Sequence, residues 1–258
     1  MKAKAIVQAR FGSSRLPGKV LLKIMGKSIL EYVIERVGKA SKIDAVIIAT
    51  TLNKDDWNIV KLADRLKLDV YRGSENDVLD RYYQAAKIFK VKHIVRITAD
   101  SPLIDCEVID NVIGCYFKTN ADYCSNTLVE TFPDGQDVEV FRFDTLKLAW
   151  NESRLLSERE HVTPYIKKHP EKFKLVNFKC KEDLSSKRWT LDEKNDFDFI
   201  KAILESLYPI NPYFNMNDVL NFLQNNPGLE DINKNIIRNE GYLKSLKKDR
   251  IVGNDCRE

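Results

Sequence analysis

The chain has 258 residues, 42 Lys and Arg against 38 Asp and Glu, a net charge of +4 and 43% hydrophobic residues. That length suffices for one large α/β domain or two small ones, with a substantial core. The small positive net charge, with both signs mixed along the chain, gives no case for a nucleic-acid binder, and no stretch approaches the roughly 18 apolar residues of a membrane span. The start of the sequence has no signal-like apolar region, so a cytoplasmic protein is expected. Cys106, Cys115, Cys124, Cys180 and Cys256 are odd in number and none form a C-x-x-C pair, which predicts free thiols and argues against tetrahedral zinc. Any metal is then expected to be hard and oxygen-bound.

The apolar run Ala3–Val7 predicts a first buried strand. The stretch that follows, Gln8 to Lys19, carries two glycines, two serines and three cations. Such a loop at a strand's C-terminal end suits a polyphosphate, because small residues let backbone N–H groups approach phosphate oxygens while Arg and Lys offset their charge. A polar surface turn is the competing reading. Five residues separate Gly12 from Gly18 and Val20 follows Lys19, so this is not a P-loop, and no dinucleotide G-x-G-x-x-G is present. Ser28 is placed to cap a helix to about Lys39. Ala45–Ala49 reads as a strand buried on both faces, and 55–67 as an amphipathic helix with Trp57, Val60, Ala63 and Leu66 inward. Leu68–Tyr71 is a short strand, 75–90 a third helix and His93–Thr98 a fourth strand. Four alternations of strand and helix predict a mostly parallel sheet flanked by helices, with ligands beyond the strand C-termini.

After Asp100 the rhythm changes. Residues 104–117 predict a helix, 121–125 and 137–143 strands of a less regular region, 157–168 a helix interrupted by Pro164, and 173–180 a strand-like run. Arg188–Leu191 reads as a strand and 193–207 as a helix, with further helices near 217–223 and 239–246. One nucleotide-binding domain over 1–208 is expected, with 121–180 as an irregular insertion and 209–258 as a helical extension and tail.

Two acidic positions fall at strand ends. Asp100, in Ala-Asp-Ser-Pro-Leu, can bind a cation held by phosphates or cap the next helix; Asp192, in Leu-Asp-Glu-Lys-Asn-Asp, offers the same two readings, with Asp196 suited to the helix's first turn. Taken with the cationic loop, the pair fits in-line attack on phosphorus with magnesium neutralising charge.

Ala9-Arg10-Phe11-Gly12-Ser13-Ser14-Arg15-Leu16-Pro17-Gly18-Lys19 resembles the A-R-x-x-S-x-R-L-P-G-K signature of the cytidylyltransferase family that includes the 3-deoxy-manno-octulosonate and acylneuraminate enzymes. Asp100 and Asp192 resemble that family's two metal aspartates. The runs Arg72–Tyr82, Arg159–Tyr165, Arg188–Asp192 and Ile232–Tyr242 are similar to the SpsF-like branch of spore-coat and surface polysaccharide synthesis. The resemblance implies a GT-A-like (Rossmann-like) fold and a magnesium-dependent transfer of CMP from CTP to an acidic acceptor, of the 2-keto-3-deoxy sugar acid type, with release of pyrophosphate. Arg10, Ser14, Arg15 and Lys19 would hold the triphosphate, with Arg15 and Lys19 also stabilising the leaving group. Ala9, Arg10, Phe11 and Gly12, with Arg72, Gly73 and Ser74, would read the nucleotide, and Asp100 and Asp192 would bind Mg2+. Acceptor-binding candidates by position and type are Gln136, Glu139, Arg159, His161 and Arg188. For His161 a helix-start role competes, and for Arg188 a strand-edge one. His93 and His169 read as structural or exposed, and Trp57, Trp150 and Trp189 as core. A homodimer through 121–180 is expected as in relatives. The alternatives are a glycosyltransferase of the same architecture, which the absence of a D-x-D motif at Asp100-Ser101-Pro102 disfavours, and a nucleotide-binding subunit without turnover.

Overall fold

The computed structural model describes residues 1–252; Cys256 and the end of the predicted tail lie outside the described residues. The strands are β1 (Ala3–Gln8), β2 (Lys23–Ile24), β3 (Lys27–Ser28), β4 (Ile43–Thr51), β5 (Asp69–Gly73), β6 (His93–Thr98), β7 (Tyr123–Ser125), β8 (Glu139–Arg142) and β9 (Leu175–Asn177). The helices are α1 (Ile29–Lys39), α2 (Trp57–Arg65), α3 (Val78–Ile88), α4 (Cys106–Thr119), α5 (Phe143–Glu152), α6 (Leu156–His161), α7 (Pro164–Lys168), α8 (Lys194–Leu207), α9 (Met216–Gln224) and α10 (Glu240–Lys247). Seven strands form one sheet in the order β5-β4-β1-β6-β8-β7-β9, and β2 and β3 form a separate small hairpin.

Strands β5, β4, β1 and β6 pair in parallel, as the alternation with helices requires, while β8 runs antiparallel to both β6 and β7. The period of two along the central strands sorts side chains to the two faces. Ala5 and Val7 of β1, Val46 and Ile48 of β4, and Val95 and Ile97 of β6 pack with α1, α2 and α4. Ile6, Ile47, Ala49 and Ile94 face the opposite layer, built on Leu79, Tyr82 and Ala85 of α3 and Leu146 and Ala149 of α5. A third apolar cluster joins Trp189 and Leu191 to Phe199 and Ile203 of α8 and to Val219 of α9. The Ser28 hydroxyl accepts from the Glu31 N–H while the Glu31 carboxylate accepts from the Ser28 N–H, a reciprocal cap of the kind worth about 1 kcal/mol.

Several local expectations differ from the structure. Trp57 is 50% exposed, and its ring lies under the Arg72 guanidinium at 4.6 Å rather than in the core. Helix α3 starts at Val78, where the Asp77 carboxylate accepts from the Asp80 N–H, and not at Glu75. Helix α5 had no side-chain cap to announce it, since Arg142 stands at its N-cap. The helix expected over 157–168 is two, because Val162 takes φ 73° and Pro164 opens the next. Arg188–Leu191 makes a single parallel bridge, Asp134 to Arg188, and no strand. The region 121–180 contributes β7, β8 and β9 to the main sheet.

Gly135 shows why that last segment sits where it does. Its φ is +103°, and a Cβ there would meet the Trp189 carbonyl carbon at 2.7 Å and the Thr190 nitrogen at 2.8 Å. Gly135→Ala should therefore lower the stability measured by urea denaturation by about 1–3 kcal/mol, and an unchanged midpoint would show that the 188–192 segment can move freely.

Candidate active site

The C-terminal edge of the parallel strands opens into a cavity of about 760 Å³, within the range of small-molecule sites. The Ala9 N–H donates to the Ala49 carbonyl (3.1 Å) and the Ala99 N–H to the Gln8 carbonyl (3.1 Å), so β1 hands the chain into the loop between its two neighbours. The loop then folds on itself. The Gly18 N–H donates to the Phe11 carbonyl (2.9 Å), and the Phe11 N–H to Asp56 Oδ1 (2.6 Å). Gly18 holds φ 70° with the Phe11 ring where a Cβ would be, at 2.8 Å, so a glycine is required there on both counts.

This turn delivers Lys19 to the centre of the site. Its Nζ donates to Asp100 Oδ2 (2.7 Å), Asp192 Oδ1 (2.8 Å) and the Leu191 carbonyl (2.7 Å), which uses all three ammonium protons. Burial alone would depress the Lys19 pKa; the charges and hydrogen bonds of Asp100 and Asp192 outweigh it and hold the pKa above its ordinary value. Asp192 behaves in the complementary way: burial pushes its carboxyl up, but Lys19, Arg15 and Arg188 hold it below the usual range. Arg15 Nη2 lies 2.9 Å from Asp192 Oδ2, and its Nη1 2.9 Å from Glu240 Oε2.

Behind this triad a buried set of groups fixes the Asp192 backbone. The Leu191 N–H donates to the Asp100 carbonyl (2.8 Å), tying the two aspartate segments together directly. Asp196, fully buried, accepts from the backbone N–H groups of Asp192 (2.9 Å) and Glu193 (3.0 Å) and from the Asn233 amide (3.0 Å). Arg188 donates to Asp196 (2.9 Å), Asp134 (2.9 Å) and Asp192 (3.3 Å).

The structure brings Ala9, Arg10, Gly12, Ser14, Arg15, Lys19, Asp100, Asp192 and His161 to the cavity wall. It does not bring the others. Phe11 turns its ring onto Gly18. Arg72 donates to the Thr51 (3.0 Å) and Asn53 (3.2 Å) carbonyls over Trp57. Gly73 ends β5 against the Tyr71 ring, and the Ser74 carbonyl accepts from Arg81 Nη1 (2.7 Å). Among the acceptor candidates, Gln136 is fully buried with its amide on the Asp105 N–H (2.9 Å) and the Leu103 carbonyl (2.7 Å). Glu139 is buried among Arg96, Tyr123, Thr163 and Lys167. Arg159 is closed onto Asp77 and the Trp150 carbonyl, and Arg188 onto three aspartates. Each has its hydrogen-bonding groups answered inside the protein. His93 and His169 are likewise held, on the Tyr116 hydroxyl (2.9 Å) and the Tyr165 carbonyl (2.7 Å).

Arg81 is the residue that sequence reasoning missed. It lines the cavity beside Gln8 and Ala9 and is 1% exposed, and its Nε has no hydrogen-bond partner among the described residues. Burial lowers its pKa to about 10, so the guanidinium stays charged at neutral pH, with no carboxylate bound to it among the described residues. The only signal for it was its place in the Asp80-Arg81-Tyr82 run; a buried side chain facing a cavity cannot be told from an exposed helical arginine by spacing.

The comparisons with known proteins decide the family. The cytidylyltransferase family model matches residues 4–226. The chain belongs to the cytidylyltransferase family. It is therefore a nucleotidyltransferase, not a glycosyltransferase of similar architecture. It is 30% identical to the spore coat polysaccharide biosynthesis protein SpsF of Bacillus subtilis over 86% of this chain and 94% of that one. It is 41% identical to an uncharacterised protein of Methanocaldococcus jannaschii over 94% and 98% of the two. A solved cytidylyltransferase from Leptospira borgpetersenii is 32% identical and superposes with a TM-score of 0.84 over 89% of this chain and 97% of that one. A CMP-2-keto-3-deoxy-manno-octonic acid synthetase solved with CTP shares the fold at 15% identity, with a TM-score of 0.60 over 80% of this chain and 100% of its own.

His161 provides a pH test of this wall. Burial brings its pKa down from 6.5 to about 4, with Glu160 opposing and Arg96 assisting. Between those values the unfolded chain binds a proton that the folded chain does not, so stability falls as pH drops through this window. Urea titrations from pH 6.5 to 4 should show a shallower loss in His161→Gln than in the wild type, whereas parallel curves would mean that His161 is not protonated on unfolding.

Proposed function

We propose that the protein transfers CMP from CTP to an acidic sugar, or a related precursor of a surface polysaccharide, and releases pyrophosphate. The observation that carries this reading is the Lys19 ammonium holding Asp100 and Asp192 together at the mouth of the parallel sheet, with Arg15 alongside, in a chain of this family. The relatives named as SpsF and as 3-deoxy-manno-octulosonate cytidylyltransferases support the acceptor class; one of the latter, from Hydrogenovibrio crunogenus, is 39% identical over 48% of this chain and 49% of its own length.

Two carboxylates converging on one cation are a hard, oxygen-only donor set. Among the described residues no group of three or more His, Cys, Asp or Glu could hold a metal alone. Such a pair fits magnesium, which takes one or two protein carboxylates with phosphate oxygens and water. Asp100 and Asp192 would hold it, and it would neutralise charge developing on the α-phosphate. The rest falls to the chain's own side chains. An acceptor hydroxyl attacks the α-phosphorus, a P–O bond forms, the bond to the bridging oxygen of the β-phosphate breaks, and the hydroxyl proton passes to solvent. Arg10 and Arg15 offset charge on the departing pyrophosphate. Lys19 acts chiefly as a positioning residue, since its donors are committed to the two aspartates and Leu191. Asp192, held below the usual carboxylate range, is suited to remain ionised rather than to act as base. Arg81, at the cavity beside Gln8 and Ala9, would donate to cytosine O2 or N3, both acceptors; uracil presents a donor at N3.

We place the reaction in the cytoplasm. The four described cysteines are free thiols, which a reducing compartment maintains, and no helix among the described residues is long and apolar enough to cross a membrane.

Pyrophosphate release from CTP with magnesium over a panel of acidic sugars tests the reading, and silence across the panel overturns it. Asp100→Asn should lower turnover by about 10²–10³ with its melting temperature retained, and full activity would remove Asp100 from the site. Arg81→Leu should cut the preference for CTP over UTP by roughly ten- to hundredfold; an unaltered ratio would place base recognition elsewhere.

A further inference from the structure

The cavity has a second wall that none of the roles above uses. It is built by α6, which lies within residues 4–226 that the family model matches, and by the chain from α10 to Val252, which lies outside them. This strap is fixed to α6 at several points. The Leu156 N–H donates to the Arg250 carbonyl (3.0 Å), the Val252 N–H to the Arg154 carbonyl (2.8 Å), and the Ser157 N–H and hydroxyl to Asp249 (3.0 and 2.8 Å). His161 Nε2 meets the Ser245 hydroxyl at 2.9 Å, and Ser245 lies 2.7 Å from Glu160 Oε2.

The charges on this wall are unequal in their commitments. Glu240 binds Arg15 (2.9 Å) and Lys244 (2.7 Å), so it joins the strap to the phosphate loop and neutralises Lys244. Lys248 and Arg250 also line the cavity, yet their side chains have no hydrogen-bond or ion-pair partner among the described residues. From Glu240, beside Arg15, to Lys248 the helix rises roughly 12 Å, a span that accommodates one sugar acid next to a triphosphate. Beside these cations, Glu160 and the neutral His161–Ser245 pair offer acceptors and donors for hydroxyl groups.

We propose that the strap of residues 240–252 is the acceptor subsite, with Lys248 and Arg250 taking the acceptor's carboxylate and Glu160 and His161 facing its hydroxyls. This rests on the CTP-dependent reading above and gives it a specific acceptor wall. Arg15, Lys19 and the two aspartates carry the nucleotide chemistry, and the strap with the end of α6 carries acceptor choice.

The test is the double variant Lys248→Ala with Arg250→Ala. Both residues are exposed, so the fold should be retained. CTP affinity is measured by calorimetry, and the KM of an acidic sugar found in the pyrophosphate screen by initial rates. The KM should rise roughly tenfold or more, as loss of charge-assisted hydrogen bonds does, with CTP affinity unchanged; Lys248→Arg with Arg250→Lys should restore it. An unchanged KM overturns the subsite, as does an equal loss of CTP affinity, which would assign both cations to the triphosphate. A wild-type enzyme that turns over a neutral amide of the sugar as well as the acid also overturns it. Failure of the wild type to bind CTP, or to use any acidic sugar, overturns instead the reading on which the subsite rests.

Discussion

The site depends on one ammonium group with three acceptors. Lys19 draws Asp100, 81 residues away, and Asp192, 173 residues away, onto the same nitrogen. Without that cation two partly buried carboxylates would face each other, and their repulsion would push them apart or force one to take a proton. With it, Asp192 is held below the usual carboxylate range and both carboxylates point to the same place. Arg15 and Arg188 add positive charge around Asp192, and the Leu191 carbonyl uses the remaining proton, leaving the ammonium fully satisfied.

The scaffold makes that convergence possible from two directions. Strands β1 and β6 are parallel neighbours, so the loop after one and the aspartate after the other emerge side by side. Asp192 does not come from a strand at all. Its segment is held by the Leu191 hydrogen bond to Asp100, by Trp189 packed against Gly135, and by the buried Asp196 carboxylate that caps α8 and grips Arg188. Here Asp196 combines two functions, a helix cap and an anchor for the Asp192 segment. Arg188 belongs to the same frame: removing it would leave Asp196 buried without its cation and Asp134 with Arg238 alone, at 4.0 Å.

Around this frame the cavity divides by chemistry. One end carries Arg81 and the small residues after β1, suited to a base. The middle carries Lys19, Arg15 and the two aspartates, suited to phosphates, and the far wall is the strap on α6. The ion pair between Arg15 and Glu240 links the last two, so a group that competes for Arg15 is felt by the strap.

The sequence alone determined the alternation of the first four strands, the capped helix at Ser28, the cationic loop and the two aspartates at chain turns. Each of those signals is local: hydrophobic period, a capping residue, or a short motif read over a dozen positions. Its resemblance to a family supplied the chemistry. What remained illegible depended on distant partners. Gln136, Glu139, Arg159 and Arg188 look like binding residues by type, but buried partners answer them, and no spacing announces a partner tens of residues away. Arg81 and the strap failed in the opposite sense, as ordinary helical and C-terminal cations until the fold turned them toward the cavity. Only the tertiary structure decided which charges were neutralised inside the protein and which were left at the cavity, because that balance is set by contacts between elements far apart in the chain.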